Sequence, residues 1–126
     1  QAASVTEQWA TYAVAGPLSR TLLQMVFADV DLSNEAFPFM AAAEFRWRGS
    51  TARLFRLSFS GELAFEVSVP AWRGEDLVRT LFDCGRAFDA VPYGTEALGV
   101  MRIEKAMLRA TRSTARRRRA ISEWRA

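Results

Sequence analysis

Hydrophobic and polar positions alternate most cleanly in the middle of the chain. Leu63, Phe65, Val67 and Val69 fall on one side of a period-two pattern, Ala64, Glu66 and Ser68 fall on the other, and Pro70 closes the run. This predicts a strand with one apolar face. Phe45 and Trp47 alternate in the same way with Glu44, Arg46 and Arg48. Gly49-Ser50 offers a hairpin turn, residues 52–59 read as the return strand, and Ser60-Gly61-Glu62 marks the next turn. Nearer the N-terminus, residues 8–14 are rich in β-branched and aromatic types and predict another strand, ended by Ala15-Gly16-Pro17. Pro17 suits the first turn of a helix, which Leu18, Leu22, Leu23, Met25 and Val26 continue at helical spacing to about Phe27. Ser33 is placed to cap a short helical turn over 34–37, and Pro38 stops it. Residues 73–88 predict a helix with Leu77, Leu81, Phe82, Gly85 and Phe88 on one side. After the connector 91–94, residues 95–105 predict another, with Leu98, Met101 and Ile103 as its apolar contacts. The order strand, helix, three strands, two helices argues an α+β fold, a β-rich layer with helices packed on it.

Composition narrows the chemistry more than the fold. The 126 residues suffice for one domain with one core. No run of about 18 apolar residues occurs, which speaks against a membrane span. The first residues lack the basic-then-apolar pattern of a signal peptide and an initiator Met, so the expectation is a trimmed or partial chain. There is no histidine, which removes the commonest general base and metal ligand; zinc and Ser-His-Asp chemistry are poor hypotheses, and no metal site or catalytic residue is assigned. The single cysteine, Cys84, lies in an apolar helical context and reads as a small buried hydrophobe, which fits a cytoplasmic protein without an internal disulfide.

One acidic residue stands out. Glu66 sits in mid-strand between Ala64 and Ser68, whose small side chains leave room above a carboxylate. A carboxylate is an acceptor-only group with two parallel oxygens, able to receive paired N–H donors from a guanidinium, a guanine edge or a pterin edge. The alternatives are a solvated face or an ion pair with Arg53 or Arg56. Phe59, seven residues earlier, stacks on the same flat ligand or belongs to the core. The charges over 93–105, with Arg102 directed toward a neighbour of Glu104 or the preceding sheet, suit a solvated helix face.

Two stretches carry a family resemblance: LFRLSFSGELAFEVSVP (54–70) and PYGTEALGVMRIEK (92–105). Both resemble the aminomethyltransferase (glycine-cleavage T-protein) superfamily, in which a strand of pattern GE-x-x-aromatic-E precedes a helix with R-apolar-E. The second stretch, with WATYAVAGPLSR (9–20) and DLSNEAFPFM (31–40), is similar to the folate-binding C-terminal half of sarcosine oxidase alpha subunits, over about residues 5–105. The resemblance implies a partial domain that binds tetrahydrofolate, with the pterin ring donating to Glu66 and packing on Phe59, where the family commonly has tyrosine. Leu98 stands where T-proteins commonly carry an arginine, and the family's reactive-site aspartate would precede residue 1. The resemblance further implies a parent enzyme that oxidises sarcosine and passes the one-carbon unit to the folate. Its flavin and NAD sites would lie outside this chain, and its other subunits would be the partners.

Charge divides the chain in two. The net charge is +3, yet residues 106–126 hold Arg109, Arg112, Arg116, Arg117, Arg118, Arg119 and Arg125 against one acid, Glu123. Setting those seven arginines and one acid aside leaves ten basic residues against thirteen acidic ones. The resemblance also stops after Lys105, and the residues that follow admit codons whose other frame reads as a family-like continuation. The expectation is therefore a partial folate domain over 1–105 and a poorly ordered, frame-shifted Arg-rich tail over 106–126. The rival is a polyanion-binding patch at Arg116 to Arg119, for nucleic acid or an anionic membrane; its nucleic-acid form is disfavoured because Trp124 is the tail's only aromatic residue for base stacking. The other alternative is a non-catalytic domain that self-associates through exposed sheet edges.

Overall fold

A computed structural model describes residues 2–105. The Arg-rich segment 106–126 lies outside them. Four strands, β1 (Trp9–Ala15), β2 (Ala42–Trp47), β3 (Ser50–Phe55) and β4 (Ala64–Pro70), form one antiparallel sheet in the order β1-β4-β3-β2. Helices α1 (Ser19–Val26) and α2 (Gly74–Gly85) lie against each other and against the sheet, and α3 (Thr95–Glu104) follows. The fold is α+β, as the order of elements argued.

The period-two pattern of β4 decides which face is buried. Phe65, Val67 and Val69 are fully buried, and they meet Leu54 and Ala52 of β3 and Leu22, Leu23 and Leu77 of the two helices in one core. Burying such side chains contributes roughly 1.5–3 kcal/mol each. The register continues this face across the sheet, aligning Tyr12 with Val67, Val67 with Leu54, and Leu54 with Ala43. At the far side Phe27 packs edge-on against Phe45 and Trp47, with centroids 5.0 and 6.2 Å away. Gln24 holds the turn after α1 by donating to Val30 O at 2.8 Å and accepting from Leu32 N at 3.2 Å, which seats Leu32 in the core.

Glycine is required where β1 meets α2. A Cβ on Gly74 would lie 2.7 Å from the Ala10 Cβ, and Tyr12 Oη donates to Gly74 O at 3.1 Å. The β2–β3 turn also differs from expectation by one residue. Arg48 (φ 46°) and Gly49 (φ 80°) form the two-residue connection, and Ser50 already pairs with Trp47. Two successive left-handed residues match the twist of a hairpin, and glycine provides the second. Strand β3 ends at Phe55, short of the predicted Phe59, and the loop to β4 spans 56–63. Pro17 lies in the turn before α1 rather than in its first turn. Ser33 caps its helical turn as expected, with Oγ accepting from Ala36 N at 3.2 Å.

Several residues expected on apolar stripes face water instead. Leu18, Met25, Phe82 and Ile103 are exposed, and α3 buries no residue. Cys84 is half-buried. Helical spacing fixes the angle of a side chain about its axis but not how far the neighbouring layer extends to cover it.

Candidate functional site

Because Phe65 and Val67 point toward the helices, Glu66 between them faces the other side of the sheet. Its neighbours along β4 are Ala64 and Ser68, and its register partners are Ala13 on β1 and Phe55 on β3. Three of these four side chains are small, so the carboxylate stands over a low floor with the Phe55 ring beside it. Glu66 is partly exposed and, among the described residues, makes no ion pair or hydrogen bond.

The pairing with Arg53 or Arg56 does not form. Arg53 Nε donates to Glu44 Oε2 at 2.9 Å, and its guanidinium carbon lies 3.9 Å from the Trp9 ring centroid. Arg56 Nη1 donates to Phe37 O at 2.9 Å. The next row of the same face aligns Thr11, Ser68, Arg53 and Glu44, with Thr11 Oγ1 and Ser68 Oγ 2.8 Å apart. Glu66 is thus an acceptor this face leaves unused among the described residues.

Phe59 is on the 56–63 loop, and its side chain is 50 % exposed, so it is not a core residue. Its ring partner is Arg102 of α3, with the guanidinium carbon 3.9 Å from the ring centroid. Three residues along each segment, Lys105 Nζ meets Glu62 Oε1 at 2.8 Å. The hydrogen bond and charge of Glu62 raise the Lys105 pKa above the usual lysine value.

Two hollows lie on the sheet surface. A shallow hollow of about 390 Å³ is lined by Ala42, Ala43, Glu44, Arg53 and Phe55. A second, of about 490 Å³, lies between Trp9, Pro70 and Trp72. Neither contains Glu66 or Phe59, although the first reaches Phe55 beside Glu66. Among the described residues no cluster of acids and cysteine is arranged to hold a metal, and no helix is long and apolar enough to cross a membrane.

Sequence reasoning missed two participants. Phe55 reaches Glu66 only through strand pairing, for which no local signal exists. Arg102 stacks on Phe59 rather than pairing near Glu104 or with the sheet; the signal available was its spacing of three from Lys105, matching that of Phe59 and Glu62.

The geometry defines a class: an α+β domain with α1 and α2 on one face of an antiparallel sheet and an unpaired carboxylate on the other. The sequence matches the GCVT N-terminal domain over residues 1–121, and the chain belongs to that family. It is 50 % identical over 105 residues to the sarcosine oxidase subunit alpha of Rhizobium meliloti (strain 1021), covering 82 % of this chain and 10 % of that one. The sarcosine oxidase subunit alpha of Corynebacterium sp. (strain U-96) is 46 % identical over 106 residues, covering 83 % and 11 %. The mitochondrial sarcosine dehydrogenase of Homo sapiens is 37 % identical over 100 residues, covering 79 % and 11 %. The chain therefore spans about a tenth of the length of these relatives.

Proposed function

We propose that this chain is a tetrahydrofolate-binding portion of a sarcosine oxidase alpha subunit, with Glu66 receiving the N–H donors of the pterin edge and Phe59 stacking on the ring. The observation that carries the reading is the unpaired Glu66 carboxylate over small neighbours. An acceptor-only group in that setting suits a flat ligand with adjacent donors. Membership of a folate-related family and the likeness to sarcosine oxidase subunits support it. When bound, tetrahydrofolate supplies the nitrogen that accepts the one-carbon unit released by sarcosine oxidation. This chain's part is to orient the ligand. The oxidation itself, with its flavin and NAD, belongs to other parts of a cytoplasmic multi-subunit enzyme, and the isolated chain is inactive. Residues 106–126 are read as a frame-shifted tail; gene sequencing that shows an intact frame with no family-like reading one base over overturns that point.

Titrating the purified chain with tetrahydrofolate tests the main reading. Micromolar binding that Glu66→Ala abolishes is the expected result; equal binding by the variant refutes the role of Glu66. A second reading is favoured by β1, an edge strand without a charged residue among Trp9–Ala15. On that reading the chain is a self-associating interaction domain, and sedimentation shows dimers or larger species with no folate binding.

A further inference from the structure

We propose that Arg102 is a positioning residue for the ligand platform, holding the rear face of Phe59 so that the front face is presented to the pterin ring. This inference rests on the folate reading above.

Phe59 lies on a loop with half its surface in water, outside the core cluster. A stacking platform has to be ordered before the ligand arrives, or part of the binding free energy is spent on ordering it. The ordering contacts come from α3. Arg102 covers one ring face at 3.9 Å, and Lys105 grips Glu62 of the same loop at 2.8 Å. Residues 102 and 105 share one side of a helix, and residues 59 and 62 are equally spaced on the loop, so the two contacts form a parallel pair. Among the described residues Arg102 Nε is enclosed and has no acceptor, and the Phe59 ring face is the partner its guanidinium has there.

A planar ring has two faces, and the guanidinium covers one of them. On this proposal the exposed half of Phe59 is the other face, offered to a flat ligand. No residue of α3 is fully buried, and this pair of contacts ties the helix end to the loop. A lysine keeps the charge but loses the flat stacking surface.

The test uses the whole chain. By NMR, the Arg102 side-chain protons are expected to be ring-current shifted, and Phe59→Leu removes the shift. In titrations with tetrahydrofolate, Arg102→Leu is expected to weaken binding about fivefold, the scale of a partly desolvated cation–π contact, and Arg102→Lys less. In a Phe59→Leu background, Arg102→Leu costs nothing further. A merely structural role would instead lower stability and multiply with the Phe59 effect; Arg102→Lys keeps the comparison readable if Arg102→Leu does not fold. Equal binding by wild type and Arg102→Leu, or losses that multiply, overturns the inference while Glu66-dependent binding leaves the folate reading standing. Absence of wild-type binding overturns both.

Discussion

The two faces of the sheet use the same strands for different ends. Toward the helices, β4 presents Phe65, Val67 and Val69, all fully buried, and β3 presents Ala52 and Leu54. On the opposite face the same strands present Glu66, Ser68, Arg53 and Phe55. Hydrophobic burial holds the first face, and nothing there is free to bind a ligand. The second is stitched by surface contacts such as Arg53 with Glu44, with side-chain exposures of 41 % and 60 %, where solvent screening leaves little net stabilisation. Stability and recognition are therefore separable by parity along one strand.

That separation sets the expected order of effects. The largest belongs to the core face: Phe65→Ala is expected to cost about 3–5 kcal/mol in urea unfolding, since it removes a fully buried ring stacked on Phe37. A loss under about 1 kcal/mol would mean that the helices do not seal this face. Next comes Gly74→Ala, expected to destabilise by about 1–3 kcal/mol although alanine is the better helix former. Its Cβ would meet the Ala10 Cβ at 2.7 Å, and neither can swing away because each is fixed to the backbone. A gain in stability would show that α2 lifts off β1 at little cost. The smallest effect belongs to the open face. Glu66→Ala is expected to move stability by no more than about 0.5 kcal/mol while abolishing folate binding. Were it to unfold the chain, the assignment of this face to recognition would collapse.

The sequence made the faces legible but not their neighbours. The period-two run over 63–69 assigned Glu66 to the side opposite Phe65 and Val67, because alternation is a property of the extended backbone itself. Its flanking residues Ala13 and Phe55 come from other strands, and no local pattern encodes that register. The hairpin was legible as a turn near Gly49, but its position moved by one residue. The turn needs two left-handed residues, and Arg48 accepts one despite its side chain. Phe59 was assigned to a strand, yet β3 stops at Phe55, and Phe59 stands on the loop against Arg102. A contact between a loop ring and a helix more than forty residues on leaves no periodic trace.

The strand order also governs time. Strand β2 finds β3 across a two-residue turn, whereas β1, made first, has its partner in β4, so Trp9 waits for Pro70 and Ala15 for Ala64. Closing that long loop costs more entropy than closing the hairpin, and non-local pairing of this kind slows folding. During synthesis the uncharged strand Trp9–Ala15 is thus the segment left longest without its native partner, and the one a chaperone would have most reason to hold.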